Sequence, residues 1–208
     1  MNITSGFQRI YLASRSPRRR ELLTQIGVHF DTLIFRTGSR ADPETDETPL
    51  PGEAADAYVL RLARAKAEHG QRLVGWRKLV PQPVLAADTT LDLDGQIIGK
   101  PVDAADALAI LRRLSGRSHR VLTGVAVYHE GCLETALSVS EVRFRALDDA
   151  EIRRYVASGE PMDKAGAYGI QGRAGLFVAH ISGSYTGIMG LPLCETGRLL
   201  ERVGYPFA

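Results

Sequence analysis

The chain alternates short apolar runs with amphipathic stretches, and that alternation sets an order of elements. Ile10 to Ala13 is an apolar run of strand length leading into Ser14-Arg15-Ser16-Pro17. A helix is expected over Arg18 to Ile26, closed by Gly27. Ser16 suits its N-cap, and Pro17 its first position, where the missing N–H is no loss. Val28 to Phe35 is bulky and β-branched and predicts a second strand. From Arg36 to Glu53 periodicity disappears among Asp, Glu, Thr and Pro, which reads as a mobile surface loop. Helical spacing returns over Glu53 to His69, where Val59, Leu62, Ala63 and Lys66 share a face. Gln71 to Pro83 is expected to be a connection.

Val84 to Leu93 reads as a strand, Asp94-Gly95 as a two-residue hairpin turn, and Gln96 to Gly99 as the returning strand. A helix follows over Asp103 to Leu114, then strands near Ser118 to Tyr128 and Leu133 to Phe144, then a helix from Asp148 to Val156. Gly159 to Gly175 is punctuated by glycines. Leu176 to Ile181 is a last strand, Ser182 to Gly190 a loop, and Leu191 to Val203 a closing helix. The irregular alternation predicts an α/β fold, a mixed sheet with helices on both faces. No repeat and no dividing linker is visible, so residues 1–208 are expected to form one unit.

Composition narrows the class. A chain of 208 residues with 44% hydrophobic content can bury a sizeable core. Its formal net charge of +2 is too small to argue for a nucleic-acid partner. No apolar stretch approaches membrane-spanning length, and Met1 to Arg9 lacks a signal-peptide pattern, so a soluble cytoplasmic protein is expected. Cys132 and Cys194 have no metal-ligand spacing and are expected to be reduced, buried thiols. His29, His69, His119, His129 and His180 are scattered, which gives little support to a zinc site or a Ser-His-Asp triad.

Four places break the local rules. Arg18-Arg19-Arg20 occupies a helix start, where the macrodipole favours acidic residues. By helical angle Arg19 falls in the middle of the Leu22, Leu23 and Ile26 face, Arg18 at its edge, and Arg20 furthest off. Guanidinium forks beside free helix N–H groups suit a polyanion. Lys66 stands on an apolar helix face, where it either snorkels to the surface or points into a cleft to hold an anion. Asp88 ends a fully apolar run, and a buried carboxylate is costly unless paired or metal-bound. Counting back from the hairpin turn pairs Thr89 with Lys100 and sets Lys100 diagonally beside Asp88. The fourth place, Asp163 to Gly172, has three glycines that permit close backbone approach, and Gln171 can read the edge of a base. Gly183-Ser184-Tyr185-Thr186-Gly187 is a similar candidate cradle. Together these suit a polyphosphate ester with a divalent cation.

The same segments resemble the Maf family of nucleotide pyrophosphatases. The likeness runs from Leu12-Ala-Ser-Arg-Ser-Pro-Arg-Arg-Arg-Glu-Leu-Leu through Ala87-Asp-Thr, Gly99-Lys-Pro and Leu114-Ser-Gly-Arg-Ser-His-Arg-Val-Leu-Thr-Gly. It continues through Asp163-Lys-Ala-Gly-Ala-Tyr-Gly-Ile-Gln-Gly, Gly183-Ser-Tyr and Gly190-Leu-Pro-Leu, covering nearly the whole chain in order. It implies an elongated mixed sheet with two lobes and a central cleft, the Maf and inosine triphosphatase-like architecture. It also implies hydrolysis of dTTP and UTP to monophosphate and pyrophosphate, as house-cleaning of nucleotide pools. By the resemblance Asp88 is general base and metal-associated residue, and Arg18, Thr89 and Gln171 set substrate preference. Ser14, Arg19, Lys66 and Lys100 contact phosphate, and Glu47 joins Asp88 at Mg²⁺ or Mn²⁺. A homodimer is a further expectation from the family. Glutamate in place of Gln171 marks the branch acting on 7-methyl-GTP, which is the nearest alternative. A regulator of cell division that binds nucleotides without hydrolysing them is the alternative from another class. The 36–53 loop looks longer than usual, and Thr186-Gly187 stands where many members carry Asn.

Overall fold

The computed structural model describes residues 8–35 and 46–207. The first strand, β1 (Ile10–Leu12), runs into helix α1 (Pro17–Gln25) and returns as β2 (Phe30–Thr32). The long helix α2 (Ala55–Trp76) precedes β3 (Val84–Leu93) and the short β4 (Gln96–Ile98). After α3 (Ala104–Leu114) come the two longest strands, β5 (Ser118–His129) and β6 (Cys132–Phe144), then α4 (Asp149–Ala157). Three 3₁₀ turns occupy the glycine-punctuated stretch, followed by β7 (Val178–Ser182), α5 (Tyr185–Met189) and α6 (Leu193–Arg202).

The strands form one seven-stranded sheet in the order β2-β1-β3-β5-β6-β7, with β4 beside β3. β1 is parallel to β2 and β3, and the remaining pairs are antiparallel. The expected mixed α/β sheet is therefore present. One edge of β3 decides the architecture. β1 pairs with its start at Val84 and Leu85, and β4 pairs with its end from Leu91 to Leu93. The same edge between them, Ala86 to Thr90, carries no partner strand among the described residues, while the other edge stays paired with β5 throughout. A cleft opens at that gap.

The pleat alternation of β3 distributes its side chains. Val84 and Ala86 pack against α2, with Ala63, Ala67, Leu73 and Val74. Leu85 and Ala87 face the opposite side, with Leu22 and Leu23 of α1 and Leu199 and Leu200 of α6. Further along, Leu91 and Leu93 join a third cluster with Ala107, Leu111 and Leu114 of α3 and Ile152 and Tyr155 of α4. Helices thus cover both faces, and Asp88 and Thr89 project to opposite faces at the unpaired stretch.

Several expectations change. α2 continues past His69 to Trp76 because Gly70 lies inside a contact: a β-carbon there would sit 2.7 Å from Val84 Cγ1. The absent side chain lets helix and sheet approach, and the turn comes later, at Lys78 with φ +52. The expected loop Ser182 to Gly190 contains α5, whose N-cap Ser184 accepts from Gly187 N. Ser16 sits at the N-cap of α1 but its side chain does not cap; instead the Ser16 N–H donates to Ser14 Oγ at 3.2 Å. Both cysteines are exposed rather than buried. Cys132 opens β6 beside a hairpin turn, and Cys194 lies on α6 away from its buried Thr196, Leu199 and Leu200. Of the 36–53 loop, residues 36–45 lie outside the described ones. Among the described residues no helix is long and apolar enough to cross a membrane.

Candidate active site

The gap in β3 opens into a cleft of about 860 Å³. Ser14, Arg18, Arg19, Glu47, Lys66, Asp88, Thr89, Lys100 and Gln171 all line it and so meet in one place, whereas the candidate cradle from Gly183 to Gly187 is not part of the lining. They arrive from the β1–α1 turn, the start of α1, the segment before α2, α2 itself, β3 and the loops after β4 and α4, which are remote from one another in sequence.

Asp88 is 8% exposed, and its partner comes from α2. Lys66 Nζ donates to Asp88 Oδ1 at 2.6 Å and pairs with Glu47 Oε1 at 2.5 Å. The lysine on the apolar face thus points into the cleft, where two carboxylates converge on one ammonium. This corrects the hairpin count. The β3–β4 ladder ends at Leu91 and Ile98, before Thr89 and Lys100 could pair. Thr89 instead registers with Thr123 of β5. The chain peels away after Ile98 because the Gly99 carbonyl accepts from Gly166 N at 2.9 Å. Lys100 still lines the cleft, from a loop. Glu47 feels it: burial pushes the Glu47 carboxyl up, but Lys66, with help from Lys100 and Arg19, carries it below the usual range.

On the opposite side of β3, Arg19 occupies the position its helical angle predicts. Its Nε donates to Gly190 O at 2.8 Å, Nη1 to Ser14 Oγ at 3.2 Å and Nη2 to Thr89 Oγ1 at 3.3 Å. Thr89 Oγ1 in turn lies 2.9 Å from Thr123 Oγ1. One guanidinium therefore ties the helix mouth, the open strand edge and the α5–α6 turn together. Burial lowers its pKa, and the nearby Asp88 charge partly offsets this. Arg18 reaches across the cleft to Asp163 at 3.6 Å, whereas Arg20 is exposed.

Sequence reasoning missed the groups that hold Glu47. Tyr58 Oη donates to Glu47 O at 2.9 Å, and the Arg61 fork grips Glu53 at 2.6 and 2.7 Å. Arg61 also donates to Thr48 O at 3.1 Å. That pairing with Arg61 holds the Glu53 carboxyl at about 2, and burial, with Asp88 nearby, pushes the Tyr58 phenol up to about 12. The spacing of Tyr58, Leu62 and Lys66 on one helix stripe was a usable signal for Tyr58; nothing periodic marks Arg61.

The oxygen donors fit a hard divalent cation. Two carboxylates already gather one positive charge, and no third His, Cys, Asp or Glu joins them among the described residues. Magnesium prefers such a sparse set, leaving positions to water and phosphate oxygens.

A Maf-like protein family model matches residues 9–203. The chain belongs to the Maf family. Its Maf relatives include the dTTP/UTP pyrophosphatase of Dechloromonas aromatica, 72% identical over 95% of this chain and 98% of that protein. Another is the dTTP/UTP pyrophosphatase of Aromatoleum aromaticum, 67% identical over 95% of this chain and 97% of that protein. Among solved structures the Staphylococcus aureus Ham1 protein superposes with a TM-score of 0.48 at 15% identity, over 94% of this chain and 97% of that one. In this Maf chain the arginine-rich helix start, the Ala-Asp-Thr strand and the Gln171 segment all border the same cleft.

Proposed function

We propose that the chain hydrolyses dTTP and UTP, adding water across the α–β phosphoanhydride to give the monophosphate and pyrophosphate. The carrying observation is that the open edge of β3 presents Asp88 on one face, against Lys66 and Glu47, and Thr89 on the other, against Arg19. The names of the near relatives support the same substrates. A carboxylate among cations in an 860 Å³ cleft suits a phosphate ester better than a neutral ligand.

In this reading Asp88 accepts the proton of the water that attacks the α-phosphorus. Arg19 and Lys66 balance the charge that grows on the phosphoryl oxygens and on the leaving pyrophosphate, with Lys100 and Ser14 completing the phosphate contacts. Arg18, Thr89 and Gln171 hold the specificity positions, Gln171 offering both a donor and an acceptor to a pyrimidine edge. Asp88 and Glu47 would hold a magnesium or manganese ion, which supplies charge neutralisation to the triphosphate. In the same reading the described residues form one domain whose two lobes flank the cleft.

The deciding experiment is pyrophosphate release from a nucleoside triphosphate panel that includes dTTP, UTP and 7-methyl-GTP, with wild type and Asp88→Asn. Wild type is expected to favour dTTP and UTP, and Asp88→Asn to lose on the order of 10²–10⁴-fold in turnover. Near-normal release by the variant would remove Asp88 as the base. Preference for 7-methyl-GTP would overturn the substrate, and binding without hydrolysis would point to a regulator.

A further inference from the structure

Gln171 can discriminate bases only if its backbone is held still, and the structure contains a clamp for it. Ile170 and Gln171 are the central residues of a turn closed by Gly172 N donating to Gly169 O at 3.0 Å. The second end of that turn is gripped by the Glu160 carboxylate, and the first by Lys164, which Glu160 holds through its backbone carbonyl, with Asp163 beside it. On the first side, the Glu160 carbonyl accepts from Lys164 Nζ at 2.7 Å. The Lys164 stem then lies over Gly169, where a β-carbon would meet Lys164 Cε at 2.8 Å and Cδ at 2.9 Å. On the second side, Glu160 Oε2 accepts from the Arg173 N–H at 3.2 Å. Its carboxylate lies so close beneath Gly172 that a β-carbon would come within 2.2 Å of Oε1. Oε1 also accepts from Tyr155 Oη at 3.1 Å. Tyr155 is buried, packs edge-on to Phe177 and has its pKa raised by burial, so it is a fixed donor.

A side chain at Gly169 or Gly172 would have to displace the clamp. Gly172 has φ −102°, open to any residue in that dihedral, so what excludes a side chain is the Glu160 carboxylate itself. We infer that Glu160 is a positioning residue for base selection: it does not line the cleft but fixes the turn that presents Gln171 to it. The inference rests on the reading of Gln171 as the base-reading group.

The test is saturation kinetics on dTTP, UTP and CTP with Glu160→Gln, Gly172→Ala, the double variant, and Gln171→Ala as reference, each checked by thermal melting. Glu160→Gln should raise KM for dTTP and UTP about tenfold with kcat changed less than about twofold, the scale of one lost charge-assisted hydrogen bond. Preference over CTP should fall in parallel. Gly172→Ala should do the same by pushing against the carboxylate, and the double variant should be no worse than the poorer single. Wild-type KM and base preference in Glu160→Gln, or losses that multiply in the double variant, would overturn the clamp. If Gln171→Ala itself leaves base preference unchanged, the reading of Gln171 fails rather than the grip of Glu160. If the variants melt, native-like Gly172→Ala kinetics on the folded fraction would still overturn the inference.

Discussion

At the scale of single residues, the cleft depends on groups whose shape matters as much as their charge. Arg19 makes three hydrogen bonds in three directions, to Gly190 O, Ser14 Oγ and Thr89 Oγ1. A lysine carries the same charge on one small ammonium and cannot span those acceptors. Arg19→Lys is therefore expected to lower kcat/KM on dTTP by roughly 10²-fold, near the worth of a fixed charged donor at a developing oxyanion. The fold should survive, since the three partners can each find water in an open cleft. Steady-state pyrophosphate release beside a thermal melt checks this, and full activity in the lysine variant would show that charge alone suffices. Lys66 plays a different part. It holds Asp88 and Glu47 together, one ammonium between two carboxylates, which leaves a negative charge for a cation to offset.

At the scale of elements, Lys66 reaches the cleft because α2 lies hard against the sheet. Gly124 of β5 is the tightest point: a β-carbon there would meet Val59 O at 2.6 Å and Val59 C at 2.8 Å. Both are backbone atoms, which cannot swing aside. Gly124→Ala should force α2 away from β3 and β5 and cost about 1–3 kcal/mol. Because α2 also carries Lys66 and Tyr58, activity should fall more than stability; chemical denaturation read together with turnover tests both. A variant as stable and active as wild type would mean that the helix shifts freely. Much of this layout was legible. The Val84-Leu-Ala-Ala run, the Asp94-Gly95 turn and the amphipathic face from Val59 to Lys66 each carry their own periodicity. What was not legible depended on distant neighbours. Gly70 ends no helix, because Val84 occupies the space its side chain would need. The hairpin ladder stops early because Gly166, far along the chain, takes the Gly99 carbonyl. The site followed the same rule: its members could be named one at a time, but the Lys66–Asp88 pairing joins α2 to β3 through tertiary packing that no local pattern records. Glu160 escaped for a related reason, since its significance lies in which glycines it touches.

For the whole molecule, the part beyond the cleft is stabilised by a buried aromatic cluster with a titratable member. His119 of β5 is 3% exposed, with Nε2 at 2.8 Å from Tyr168 Oη. Phe144 stacks edge-on to both rings, at 5.1 Å from His119 and 4.8 Å from Tyr168. Burial pushes the His119 pKa down from 6.5 to about 4, so the folded protein keeps it neutral where an unfolded chain would protonate it. The folded value lies below the unfolded one. The contribution to stability is thus complete above about pH 6.5, declines as pH falls from 6.5 towards 4, and is gone below that. Its full size is roughly 3 kcal/mol at 1.36 kcal/mol per unit. Carboxylates such as Glu53, held at about 2, also cost stability as pH falls from about 4.5 towards 2, a loss shared by any His119 variant. His119→Gln removes the titration and keeps a nitrogen near the Tyr168 hydroxyl. Urea midpoints at pH steps from 7 to 4 should therefore fall more steeply for wild type than for His119→Gln, with the two curves converging as pH drops. Parallel curves would mean that His119 gains a proton in the folded core as readily as in the unfolded chain.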